Sequence, residues 1–108
     1  MNARPEDLVI LIAPAPGSPG GFELRPNPGT AYRGRDIIWI SQGPAVTLLF
    51  PDQSPFPGVT LAIAAGGQGR LTVSEQTLCK PFNYVVFVVQ IGLSLEGDDG
   101  NDPTIIIN

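Results

Sequence analysis

Apolar residues along the chain come in short runs cut apart by proline and glycine, and none carries a helical stripe. The run Leu8 to Ile12 is followed by a loop rich in Pro14, Pro16, Gly17, Pro19, Gly20 and Gly21, which cannot be the interior of a helix or sheet. Phe22 to Arg25 is a short extended segment stopped by Pro26-Asn27-Pro28-Gly29, and Thr30 to Arg33 continues extended up to Gly34. The densest stretch is Ala31 to Phe50. It reads as a strand over Asp36 to Ser41, a tight turn at Gln42-Gly43-Pro44, and a second strand over Ala45 to Phe50. Trp39, the only tryptophan, lies there and makes this stretch the natural centre of a core. Further strands are predicted at Val59 to Ala64, Arg70 to Ser74, Phe82 to Leu95 and Thr104 to Ile107, with one helical turn at Ser74 to Leu78. About eight strands without an amphipathic helix predict an all-β sandwich or small barrel, one domain spanning residues 1–108.

The faces of these strands carry a second message. A half-buried antiparallel strand alternates apolar with polar, whereas continuous apolar runs are expected where both faces are covered. Ile37 and Trp39 point one way while Ile38 and Ile40 point the other; Tyr84, Val86 and Val88 share one face while Val85, Phe87, Val89 and Ile91 share its reverse. With no helix to cover the outer side, part of that surface is expected to be an exposed apolar patch, the mark of an interaction site. Ile38, Ile40, Val85, Phe87 and Val89 are therefore the expected interface, on one outer sheet face shared by the Trp39 and Phe87 strands. A second copy of the chain or another protein would cover it.

Composition narrows the partners. The net charge is −4 and the six basic residues are scattered, with Arg33, Arg35 and Arg25 the one local cluster, which strand-edge solubility explains as well, so nucleic acid is not expected. Hydrophobic residues make up 43%, charged residues 15%, and the mean hydropathy is +0.16, a sparse charged surface for a water-facing domain. No run reaches the eighteen or so apolar residues of a membrane helix. Glu6 and Asp7 precede an apolar run of only Leu8 to Ala13, which is not a secretory leader. A chain complete as given is expected in the cytoplasm, and one whose leader was removed in the periplasm.

The stretch FELRPNPGTAYRGRDIIWISQGPAVTLLFP resembles the middle of a cupredoxin, the Greek-key sandwich of plastocyanin-like proteins, whose pattern there is Gly-Asp-x-Val-x-Trp-x-Asn. Gly34, Ile37, Trp39 and Ser41 fall on that spacing, with Arg35 where the family has Asp; PFNYVVFVVQ and DPTIII are similar to the last hairpin of bacterial cupredoxin-like proteins. The resemblance implies a Greek-key β-sandwich of seven to eight strands. It does not extend to the metal. Blue copper takes two His, a Cys and a weak axial ligand such as Met. This chain has no histidine, Met1 is its only methionine, and Cys79-Lys80-Pro81-Phe82 puts Phe82 where the resemblance implies an imidazole. A copper-free domain without cofactor is expected.

The remaining candidates are weaker. Cys79 lacks the base that would make a thiolate nucleophile and reads as a small apolar residue. Glu96, Asp98, Asp99 and Asp102 offer hard oxygen ligands for Ca²⁺, though without the spacing of an EF-hand loop, and a solvated turn accounts for them as well. Gly66-Gly67-Gln68-Gly69-Arg70 lacks the ending of a phosphate loop. Ser41, Ser54 and Ser74 have no histidine for triad chemistry. The sequence thus points to a non-catalytic binding or assembly module, with a Ca²⁺- or small-ligand-binding sandwich as the alternative.

Overall fold

A computed structural model describes residues 7–14, 17, 22–43, 45–51, 55–56, 58–90, 93–96 and 103–108, and at 22, 88–90 and 93–96 the backbone alone. Every regular element is a strand: β1 (Leu8–Pro14), β2 (Phe22–Arg25), β3 (Gly29–Ala31), β4 (Asp36–Ser41), β5 (Val46–Leu49), β6 (Thr60–Ile63), β7 (Gln68–Thr72), β8 (Pro81–Asn83), β9 (Val85–Gln90), β10 (Leu93–Glu96) and β11 (Thr104–Ile107). They form two four-stranded sheets, β2-β1-β4-β7 and β10-β9-β5-β6, and a smaller sheet, β3-β11-β8. The expected all-β sandwich is therefore present. No described helix is long and apolar enough to cross a membrane.

Alternation decides what each strand buries. Leu8, Ile10 and Ile12 of β1 and Ile37 and Trp39 of β4 face inward, opposed by Val46 and Leu48 of β5, Ile63 of β6 and Val86 of β9. β1 runs parallel to β4, so Leu8, Ile10 and Ile12 stand in register beside Ile37, Trp39 and Ser41. Trp39 lies among Phe50, Tyr84 and Phe56 at centroid distances of 5.6, 5.9 and 6.5 Å, and its indole N–H donates to the Tyr84 hydroxyl at 3.1 Å. The aromatic centre expected from the sequence is the core.

More strands form than the pattern predicts, because a single apolar run can change partners. The run Phe82 to Leu95 becomes three strands. β8 pairs with β11, β9 pairs with β5, and β10 folds back on β9. The switch falls at Tyr84, whose N–H donates to the Pro103 carbonyl while its side chain stays in the core. Periodicity records which face a residue takes and is silent about which sheet it joins. Ser74 to Leu78 forms no helix. Its turn is closed by the Thr77 N–H donating to the Ser74 carbonyl and the Gln76 N–H donating to the Ser74 hydroxyl.

One edge of the sandwich closes through Gly69. A Cβ there would stand 2.8 Å from a Leu61 methyl and 3.1 Å from Ile63, so a side chain on β7 at this point would have to push those β6 side chains aside. Gly34 has a different reason: its φ of +79° turns the chain so that its N–H reaches the Val73 carbonyl at 2.7 Å.

Candidate functional site

The five expected interface residues do not share a face. Ile38 and Ile40 belong to β4 in the first sheet, Val85, Phe87 and Val89 to β9 in the second. The inner faces of these sheets meet across the core, so their outer faces point to opposite sides. One continuous patch is ruled out. Moreover Ile38 is fully buried within the chain. It stands between Val9 and Arg70 on the outer face, and Arg70, anchored on Asp36 two positions along, lays its methylene stem beside it. Ile40 is half-exposed there, and Val85 and Phe87 are half-exposed on the other face. The Val89 side chain lies outside the described residues.

Built from its register, the outer face of the first sheet has an apolar middle and a polar border. Val9, Leu11 and Ala13 of β1 lie beside Ile38 and Ile40 of β4, all half-exposed except Ile38. On one flank β2 presents Glu23 and Arg25, whose carboxylate and guanidinium pair with each other. On the other flank β7 presents Gln68, Arg70 and Thr72. Arg70 donates to the Asp36 carboxylate at 2.7 Å, the Thr72 hydroxyl donates to the same carboxylate at 2.6 Å, and Asp7 accepts the Asp36 N–H at 3.0 Å. An apolar centre ringed by polar groups is the ordinary anatomy of a protein interface.

Asp36 is the most constrained of these charges. The Thr72 hydroxyl holds its carboxyl below the ordinary value, burial works against that, and the Arg70 guanidinium adds to the lowering. Because the folded group releases its proton more readily, the stabilisation is complete above the unfolded value of 3.8 and is lost as pH falls through the folded one. Asp36→Asn should cost about 1–3 kcal/mol at neutral pH by weakening bonds to a largely buried carboxylate. It should also remove part of the acid sensitivity. Urea titrations at neutral and acidic pH check both, and equal losses at the two pH values would contradict the assignment.

The metal candidates come apart. Cys79 is exposed, whereas Phe82 is buried with the Lys80 ammonium 5.3 Å from its ring centre, so thiol and ring do not face one cavity. Glu96 contributes backbone to β10 opposite Phe87, and its side chain lies outside the described residues, as do Asp98, Asp99 and Asp102. Among the described residues no three of His, Cys, Asp and Glu gather as a metal site would require.

A feature absent from the sequence reading is the exposure of two large apolar side chains outside the strands. Tyr32 and Leu78, 44% and 67% exposed, are the exposed large hydrophobics of the described residues. Leu78 had a signal: it sits in the polar turn between β7 and β8, outside any alternating run that could bury it.

The fold and these surfaces define the class: an all-β sandwich domain with apolar positions on its outer faces. No protein-family model and no curated protein matches the chain.

Proposed function

We propose that the chain is a non-catalytic, copper-free module of the cupredoxin-like type that self-associates through the outer face of the β2-β1-β4-β7 sheet. One observation carries the reading: Val9, Leu11, Ala13 and Ile40 remain half-exposed beside buried Ile38, between flanks that each carry both signs of charge. Glu23 with Arg25 and Asp36 with Arg70 offset most of the border's charge within each copy, so a second copy would meet much less like charge than the −4 of the whole chain implies. Such an interface is isologous, the same patch from both partners. The way the chain alternates between sheets, β4 to β5 and back from β6 to β7, supports the Greek-key part of the reading. The absence of any histidine in the sequence supports the copper-free and non-catalytic parts.

Magnitudes set how tight the association is. Four strands at about 4.8 Å and roughly 20 Å of strand length give a face of about 400 Å² before side-chain relief. A standard interface buries about 800 Å² per partner. The expected dimer is therefore weak and concentration-dependent. Sedimentation velocity across a concentration series should show reversible dimerisation, weakened at least tenfold by Ile40→Asp and left unchanged by Phe87→Asp on the opposite face. A monomer at every concentration, or equal loss from both variants, would overturn the reading; thermal melts confirm that both variants fold.

A further inference from the structure

We infer that β2 is a second self-association site, at which the strand pairs antiparallel with β2 of another copy and joins two four-stranded sheets into one continuous sheet. This contact is separate from the outer face proposed above and does not rest on it. β2 ends its sheet, with β1 on one side only. Among the described residues, the backbone of Glu23, Leu24 and Arg25 makes no hydrogen bond beyond its ladder with β1. The far side of such a strand is a row of N–H and C=O groups that another strand can take up.

The side chains say which strand. Many edges are guarded by an inward-pointing charge, but the inward residue of β2 is Leu24. It stands beside fully buried Ile12 and packs on the core, yet it is half-exposed at the sheet's margin. Glu23 and Arg25 point outward beside Ala13 and Leu11, opposite in sign and paired along their own strand. Pro26, which has no N–H, ends the ladder at Arg25.

In an antiparallel twofold pair centred on Leu24, Leu24 meets its counterpart, and Glu23 of each copy stands directly opposite Arg25 of the other. Two unlike pairs form on the outer face, and the two leucines cover each other at the margins of the two cores. Centring the pair on Glu23 or on Arg25 instead sets two carboxylates or two guanidinium groups opposite one another, which is destabilising. A slip of one residue places Leu24 opposite a charge and turns one sheet over. A second copy of this chain therefore matches the edge in backbone, charge and apolar contact at one register. Glu23 and Arg25 sum to zero in each copy, so the contact draws on no charge elsewhere in the chain. A ladder running only from Glu23 to Arg25 falls well below a standard interface, and the association is weak.

Sedimentation velocity in the Ile40→Asp background, up to about 1 mM, separates this edge from the face. Reversible dimers at least tenfold weaker than the parent's should persist there. Adding Glu23→Arg or Arg25→Glu should weaken them about tenfold further, because the twofold turns both unlike pairs into like ones. Carrying both substitutions on one chain should restore association to within about threefold of the background. So should mixing the two single variants, although each remains net negative. With Cys79→Ser removing the native thiol, Leu24→Cys should form a disulfide dimer under mild oxidation at least tenfold faster than Thr72→Cys on the opposite edge. A monomeric background at every concentration, single variants that associate as the background does, or no recovery in the mixture and the double variant would each overturn the inference. Equal association of parent and Ile40→Asp, abolished in both by Glu23→Arg, would sink the face reading and leave this one standing.

Discussion

Trp39→Ala should cost about 3–5 kcal/mol, the range for emptying a buried aromatic site whose surroundings collapse only partly. The indole is fully buried, and it touches three other rings at once. Each such aromatic pair contributes about 0.5–1.5 kcal/mol beyond the area it hides. Domains of this size hold about 5–15 kcal/mol in total, so the variant would keep at best a thin margin. Its melting temperature should fall by about 12 °C or more, at roughly 4–8 °C per kcal/mol. Trp39→Phe separates two contributions. It keeps an apolar ring against Phe50 and Phe56 but removes the N–H that donates to Tyr84, so it should lose less than alanine does. Urea denaturation followed by far-ultraviolet circular dichroism gives both numbers. A loss under about 1 kcal/mol for the alanine variant would mean that the two large sheets do not meet on this side chain.

The strand that supplies Trp39 was readable in the sequence because alternation inside one strand is local information, whereas the strand after its turn, β5, pairs not with β4 but with β6 and β9 in the other sheet. Ile37 and Trp39 inward, Ile38 and Ile40 outward, is what β4 does. The same holds for Tyr84 and Val86 inward against Val85 and Phe87 outward. What failed was non-local. Whether Phe87 shares a surface with Ile40 depends on which sheet each strand joins, and pairing of β9 with β5 puts them on opposite sides. Likewise, Ile38 is fully buried although it points outward, and its ladder partners Val9 and Arg70 lie respectively 29 residues before it and 32 after it in the numbering, where nothing near Ile38 announces them. Exposure of Leu78 is the converse case. No pattern predicts a contact for it, and it makes none that buries it.

These corrections also reshape the interaction argument. The sequence counted outward apolar residues as if they formed one patch; the sandwich divides them into two faces and removes Ile38 from the supply. Half-exposed aliphatics on both faces then stand closer to ordinary surface than to a large sticky patch, since much of any protein surface is apolar. What distinguishes the β1–β4 face is its border of internally paired charges. In the proposed dimer that border would set partner choice, while the small area would keep the association reversible.

Alkaline unfolding should be governed by Tyr84. Its hydroxyl is buried beside Trp39, and burial pushes its ionisation well above the ordinary 10.0, with the hydrogen bond from the indole N–H offsetting only part of that rise. The folded chain thus holds this proton to higher pH than the unfolded chain does. Its contribution is fully present below the unfolded value of 10.0 and is withdrawn as pH climbs from there toward the folded value. Across that window stability should fall by about 1.4 kcal/mol per pH unit on account of this one group. Tyr84→Phe should flatten that slope while lowering stability at neutral pH by about 1–3 kcal/mol, because the Trp39 N–H is left buried without its acceptor. Tyrosinate absorbance followed in parallel with circular dichroism tests the assignment. In the parent, ionisation of Tyr84 should coincide with loss of structure; in the phenylalanine variant that coincident step should vanish. Ionisation of Tyr84 at an ordinary pH in a chain that remains folded would show that water reaches the centre of the sandwich.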